Sequence, residues 1–221
     1  MITPRLTMIL QNVKGSSVAD IGTDHAFIPI ELARRGVRVI ATDVNRGPLL
    51  CAKRNVEKQG LNIPLLMGFG LDVLSAGDTE EIIIAGMGGD LIRTIISNGI
   101  EKALASRLIL QPMNSQAELR RFLMESGFEI VSEDLAKEGR KIYNLIVAKA
   151  GKSALPDREI DFHLPPVLYN HPLFPMLIQK KEREFKKQFM GLSKSKNASP
   201  EELKRLENLL FYITKIKDTE L

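Results

Sequence analysis

The chain has 221 residues, 44% of them hydrophobic and 26% charged, the composition of a folded globular protein and not of a disordered one. No apolar run approaches the ~20 residues that span a bilayer, and the opening "MITPRLTMILQNVKG" lacks the apolar core and small-residue cleavage site expected of a signal peptide. The formal charge of +4 is only mildly basic, and Cys51, the only cysteine, excludes an internal disulfide and fits a reducing cytoplasm.

From about residue 16 to 149, short apolar runs alternate with amphipathic stretches. The runs are "SSVADIG" (16–22), "VRVIATD" (37–43), "IPLLMGF" (63–69), "EIIIAG" (81–86) and "RLILQP" (107–112), and all but the third lead into a helical pattern. Runs buried on both faces with helices between them predict a parallel sheet built from βαβ units. "FEIVSEDLA" (128–136) and "KIYNLIVAKA" (141–150) follow with only "KEGR" between them, too short for a helix, so this pair predicts an antiparallel hairpin at the sheet edge. The Pro-rich stretch 151–175 reads as a linker packing on the first domain. Two helices follow, one from about Leu173 to Leu192 and one starting at Ser199-Pro200-Glu201-Glu202, where Ser199 is a candidate N-cap and Glu202 its capping-box partner. The second carries Leu203, Leu206, Leu210 and Ile213 at spacings of three and four, the mark of an antiparallel helical hairpin. The expected domains are 1–155 and 156–221.

The loop after the first strand, "DIGTDHAF" (20–27), stands where a dinucleotide-binding fold carries G-x-G-x-x-G. Only Gly22 is in register; Asp24 and Phe27 occupy the other glycine positions. A carboxylate at Asp24 repels a pyrophosphate. It suits S-adenosylmethionine (SAM), which has no phosphate and carries a sulfonium cation, so a nicotinamide dinucleotide is disfavoured on charge. Asp43 closes the second strand, where an acid can accept from both ribose hydroxyls. Asp72 follows the third strand, within reach of an adenine amino group, and "AGMGG" (85–89) ends the fourth, beside the methyl. Structural alternatives stand beside these: Asp43 as a helix cap, Asp72 as a turn residue, and the glycines as enablers of a tight turn.

"VADIGTDHAFIPIEL", "IIIAGMGGDLI", "LILQP" and "KIYNLIVAKA" together resemble the bacterial tRNA (adenine-22-N1)-methyltransferase family. The resemblance implies a class I methyltransferase domain, an α/β Rossmann-like seven-stranded sheet whose last strand lies antiparallel beside the fifth. It also implies a C-terminal α-helical, coiled-coil-like hairpin, SAM as cofactor and tRNA as substrate. Carried over by motif, Asp20, Gly22 and Thr23 join the SAM loop, Asp43 meets the ribose, Asp72 the adenine, and Gly86, Met87 and Gly88 the methyl-facing wall. The sequence departs from the pattern at Asn144, where an acid is expected, and at Met113, inserted between Pro112 and Asn114.

Adenine N1 is a neutral nitrogen with an available lone pair, so in-line positioning is the main catalytic task. Asp24 is the candidate for stabilising charge and taking the later proton, with His25 either orienting it, meeting substrate or simply holding the loop. Phe27 and Tyr143 are candidate stacking faces for a flipped base, Phe27 having core packing as its alternative. Lys180, Lys181, Arg183, Lys186, Lys187, Lys194 and Lys196 outweigh Glu182 and Glu184 along the first C-terminal helix. This is an arm for tRNA phosphates or a plain solvated face, and Arg5 is a further phosphate candidate. With one Asp-His pair and distant His163 and His171, no metal site is expected. The expectation is a cytoplasmic monomer or weak dimer without membrane contact. A methyltransferase of small molecules or proteins, dimerising through the hairpin, is the alternative; a silent RNA-binding scaffold is a third.

Overall fold

A computed structural model describes residues 2–195 and 198–220, and the chain forms two compact units that divide between Leu155 and Pro156. Among the described residues no helix is long and apolar enough to cross a membrane.

The first unit opens with α1 (Pro4–Asn12), capped by the Thr3 hydroxyl, which accepts from Leu6 N, and started by Pro4. This helix lies outside the strand–helix alternation, and the pattern does not mark it. Then follow β1 (Ser17–Ile21), α2 (Phe27–Arg34), β2 (Arg38–Asp43), α3 (Arg46–Lys58) and β3 (Leu65–Met67), and after them β4 (Glu81–Met87), α4 (Gly89–Asn98), α5 (Ile100–Leu104) and β5 (Arg107–Pro112). The unit closes with α6 (Gln116–Glu125), β6 (Phe128–Glu138) and β7 (Lys141–Ala150). The sheet runs β3-β2-β1-β4-β5-β7-β6, with β1 to β5 parallel and β7 antiparallel to both β5 and β6. The expected order of the last strands is therefore observed. β6 runs two residues further than the apolar pattern indicates, to Glu138, and leaves only Gly139 and Arg140 to turn; Gly139, at φ +56°, supplies the left-handed conformation.

Successive strand residues bury against opposite faces. Val18, Ile83, Ile109 and Val147 meet Leu6 and Ile9 of α1, Leu32 of α2 and Val56 of α3 on one side. Ala19, Ile82, Ile84, Leu108, Leu110 and Ile146 meet Ile92 and Ile96 of α4 and Leu119 and Leu123 of α6 on the other. Both faces are covered, which is why the runs read as continuously apolar.

In the second unit, α7 (Ile160–His163) and a 3-10 turn at Pro166–Leu168 precede α8 (Phe174–Ser193) and α9 (Pro200–Glu220). The segment read as a linker belongs, from Pro156 on, to this unit's own core. Ile160, Phe162, Leu164 and Leu168 are buried, and the His163 ring stands edge-on to Phe185 with centroids 5.0 Å apart. Ser199 Oγ accepts from Glu202 N at 3.4 Å at the start of α9. The buried stripe of α9 is Leu206, Leu209, Ile213 and Ile216, while Leu203 and Leu210 are only half-buried. Both stripes have the same spacing and share Leu206 and Ile213; the flank that α8 covers decides between them, and spacing alone does not encode it.

Asn144, the departure from the family pattern, is explained by its surroundings. It is buried and its Oδ1 accepts from Arg120 Nη2 at 3.2 Å, while Arg120 Nη2 and Nε reach Glu133 Oε2 at 2.6 and 2.9 Å. Arg120 is 1% exposed, so removing Glu133 takes the carboxylate of its bidentate ion pair away from a buried cation. Glu133→Ala is expected to lower stability by about 3–5 kcal/mol, read as a fall in the urea midpoint; a loss below about 1 kcal/mol would place the pair in the exposed class.

Candidate active site

The sheet order reverses between β1 and β4, and a cavity of about 510 Å³ opens there, at the carboxyl ends of the strands. Its wall is built from Asp20 to Ile28, Thr42 to Asn45, Gly68 to Gly70 and Ala85 to Met87, with Arg5, Leu6, Leu91 and Ile95.

The loop after β1 sets this shape. Gly22 and Thr23 both donate their amides to Thr42 O at 2.8 Å, and Asp24 N donates to Gly22 O at 3.1 Å. Three successive amides are thus engaged inside the protein and do not point at a ligand, the reverse of a phosphate-binding loop. Gly22 has φ +81°, and a Cβ there would fall 2.1 Å from Met87 Cε. The positive φ requires glycine, while the Met87 methyl, at the end of a flexible side chain, could give way to a Cβ. Ala26, which precedes α2, also lies in the left-handed region at φ +57°, a strained conformation of the kind found at working sites.

Three carboxylates line the cavity: Asp20, Asp24 and Asp43. Burial pushes the Asp20 carboxyl up to about 6; the Thr23 hydroxyl opposes the rise without a hydrogen bond of good geometry, and the Asp43 charge adds to it. Asp43 Oδ1 accepts from Asn45 N at 2.8 Å. Asn45, not Asp43, is the N-cap of α3, so the helix-cap alternative for Asp43 does not hold. Thr23 Oγ1 and Thr42 Oγ1 are buried in the wall without a hydrogen-bond partner. Acids, unpartnered hydroxyls and the apolar Phe69 slot together fit a cationic, ribose-bearing ligand. Among the described residues no His, Cys, Asp and Glu cluster could hold a metal ion.

Of the residues singled out by sequence, Asp20, Gly22, Thr23, Asp24, His25, Phe27, Asp43, Gly86 and Met87 line the cavity. Phe27 is 46% exposed, which removes its core alternative, and its ring centroid lies 5.4 Å from that of His25. Asp72 does not line it. Asp72 is exposed, because the chain turns at once after β3 (Asp72 N to Phe69 O, 3.0 Å), and Gly68, Phe69 and Gly70 form that wall instead. Gly88 is the N-cap of α4 and faces Asn114, whose Oδ1 lies 3.0 Å from a Cβ built on it. Tyr143 sits behind Arg5, whose guanidinium carbon is 5.7 Å from its ring centroid.

Arg5, read from sequence as a phosphate candidate, lines the cavity wall. Its Nη1 donates to Gln111 Oε1 at 2.9 Å, and the same oxygen accepts from Gly86 N at 3.2 Å. Its own amide donates to Glu138 Oε1 at 2.8 Å. Thr42, Phe69 and Gln111 also escaped the sequence reading; only the adjacency of Thr42 to Asp43 marked any of them.

In the second unit, part of the basic arm is internally neutralised. Lys181 is buried and donates to Glu184 Oε2 at 3.0 Å; Lys180 Nζ lies 3.9 Å from Glu184 Oε1, with burial pulling its pKa down. Glu182 holds Lys186 at 2.7 Å and also Lys217 of α9. Arg183, Lys187 and Lys194 are exposed and have no carboxylate partner among the described residues. Lys196 lies outside the described residues.

A methyltransferase-domain family model matches residues 2–146. The tRNA (adenine(22)-N(1))-methyltransferase of Bacillus subtilis (strain 168) is 32% identical over 225 residues, covering 99% of this chain and 88% of that protein. The structure of Streptococcus pneumoniae Sp1610 in complex with S-adenosyl-L-methionine is 35% identical, with a TM-score of 0.84 over 98% of this chain and 99% of that one. That of M. capricolum TrmK with S-adenosyl-homocysteine is 25% identical, with a TM-score of 0.84 over 100% of both chains. With 32% identity along 99% of the chain and the methyltransferase-domain model matched over residues 2–146, the chain belongs to the SAM-dependent tRNA (adenine(22)-N1)-methyltransferase family.

Proposed function

We propose that this protein transfers a methyl group from SAM to N1 of adenine 22 of tRNA. The observation that carries the reading is the loop at Gly22, whose amides are engaged internally while Asp20, Asp24 and Asp43 face the cavity. When bound, SAM supplies an electrophilic methyl on a sulfonium centre. Asp43, with one oxygen committed to Asn45 N, offers the other to ribose hydroxyls. Asp20 faces the α-ammonium, and the Arg5 guanidinium, oriented by Gln111, suits the α-carboxylate. Gly68, Phe69 and Gly70 take the adenine ring in place of Asp72.

On the substrate side, Phe27 and His25 offer ring faces at the mouth for an unpaired base. Asp24, 70% exposed at its side chain, accepts the proton that leaves the exocyclic amine after N1 is methylated, and its charge supports the positive charge passing onto the base. Tyr143 supports Arg5 from behind. Arg183 and Lys187, four apart, share one face of α8, Lys194 follows as its C-cap, and these are the cations available to phosphates. The reading takes the protein as cytoplasmic and as a monomer or weak dimer.

The test is methylation of bulk tRNA with labelled SAM followed by nucleoside analysis. N1-methyladenosine is the expected product, with tRNA retention that weakens steeply as salt rises; a different modified nucleoside, or none, overturns the assignment. Asp24→Asn is expected to lower turnover at least tenfold with SAM affinity changed less than about twofold, and equal losses in both would make Asp24 a binding residue only. Asp20 provides a pH test. Its carboxyl is raised to about 6, so the folded protein holds this proton more tightly than the unfolded chain, and the associated stability is lost as pH rises through that value. A cationic ligand prefers the ionised form, so SAM affinity should rise from about pH 5 to about pH 7 and then level off, with proton release on binding near pH 6. Calorimetry in buffers of different ionisation heat reads both; a flat affinity over that range would sink the assignment.

A further inference from the structure

One face of α3 grips the loop that carries Asp24 and His25. Asn55 Nδ2 donates to His25 O at 3.1 Å and also approaches Cys51 Sγ at 3.9 Å. Cys51 Sγ lies 3.1 Å from His25 Nδ1, and His25 Nε2 lies 3.3 Å from Asp24 Oδ2. Cys51 and Asn55 are one helical turn apart, which puts both side chains on the same face of α3.

The direction of this chain is set at its Asp24 end. The Asn55 amide nitrogen only donates, and an ionised Asp24 carboxylate only accepts. The Nε2–Asp24 Oδ2 approach of 3.3 Å is an ion-pair contact and not an aligned hydrogen bond, but a carboxylate there repels a bare lone pair and attracts an N–H, so Nε2 carries the hydrogen. In a neutral imidazole that leaves Nδ1 bare, and the only role left for Cys51 is to donate its S–H to it, while its sulfur lone pair accepts from Asn55. Hydrogens therefore run Asn55 to Cys51 to His25, whose Nε2–H edge faces the Asp24 carboxylate.

We infer that Cys51 is a positioning residue that holds His25 in the Nε2–H tautomer and so aims the Asp24 carboxylate into the cavity. The inference rests on the reading that Asp24 serves the methyl transfer. The side chains of His25 and Asp24 are 46% and 70% exposed, so their mutual attraction is screened and does not by itself hold one geometry. The ring needs a second anchor, and Cys51, half-buried on a rigid helix, is the one in place. Phe27 closes the other side of the ring. The choice of tautomer decides which ring nitrogen meets the carboxylate, as in any imidazole oriented by a partner on its far nitrogen.

The test compares the full chain with Cys51→Ala, Cys51→Ser and His25→Ala. Long-range proton–nitrogen spectra of the imidazoles are readable because the chain has only three histidines. The unmodified protein should show His25 as the Nε2–H tautomer; Cys51→Ala should give a tautomer mixture and a kcat about tenfold lower, with KM for SAM within about twofold and an unchanged melting curve. Cys51→Ser, which keeps a donor, should restore both tautomer and rate. An Nδ1–H tautomer in the unmodified protein, or a Cys51→Ala variant with normal tautomer and rate, overturns the inference. If His25→Ala and Cys51→Ala both keep full rate while the tautomer still depends on Cys51, the positioning of the ring stands and the catalytic reading of this loop falls.

Discussion

The site depends on where the amides of the loop after β1 point. Gly22 and Thr23 both donate to Thr42 O, and Asp24 N turns back to Gly22 O. In a dinucleotide-binding loop such amides form the anion cradle; here the β1–β2 connection uses them up. What remains facing the cavity is acceptor chemistry, the carboxylates of Asp20, Asp24 and Asp43. A cationic ligand compensates this concentration of negative charge, and a pyrophosphate aggravates it. The raised pKa of Asp20 is the same fact seen without ligand, since burial beside Asp43 disfavours its charge until a counter-charge arrives.

Arg5 is the balancing element, and it reaches the cavity from a helix that precedes the sheet. Its guanidinium is aligned by Gln111, whose Oε1 is held in turn by Gly86 N, and its backbone is tied to Glu138 at the end of β6. One cation among three acids keeps the site net negative while giving a carboxylate-bearing ligand an end to bind. α1 and the β6–β7 hairpin thus serve the site although neither supplies a loop at the carboxyl ends of the parallel strands. Pro4 and Thr3 fix where α1 starts, and that start sets the height of Arg5.

Legibility in the sequence followed the range of the interaction. The parallel strands were plain because Ile82 to Ile84 and Leu108 to Leu110 bury on both faces and leave an unbroken apolar signature. The acid loop was plain because strand end, turn glycine and carboxylates are contiguous. Arg5 and Gln111, 106 positions apart, meet only after the sheet assembles, and no local pattern announces them. Asp72 follows the turn alternative: its amide closes back on Phe69 O and its side chain is exposed, outside the cavity lining. The lysines of α8 misled. Lys181 and Glu184 are three apart and Lys186 and Glu182 four apart, so pairing on the helix was foreseeable, but that α9 would bury one flank and bring Lys217 to Glu182 was not.

Methylation of a neutral ring nitrogen needs no strong base, so a strongly perturbed acid at the reacting edge is not required. Orientation is required, because effective molarity from alignment is the largest contribution available to such a displacement, on the order of 7–11 kcal/mol. Asp24 meets that need poorly on its own: it is 70% exposed at its side chain, lies two residues before a left-handed Ala26, and its nearest partner, His25, is itself 46% exposed. Rigidity has to come from outside the loop. α3 supplies it through Asn55 on the loop carbonyl and Cys51 on the ring, so a helix packed on the sheet by Ala52 and Val56 presents the residues just before them, Cys51 and Asn55, to the loop that carries Asp24. Core packing on one face of α3 and loop orientation on the flank beside it are therefore consequences of the same helix register, and a shift in that register would disturb both at once.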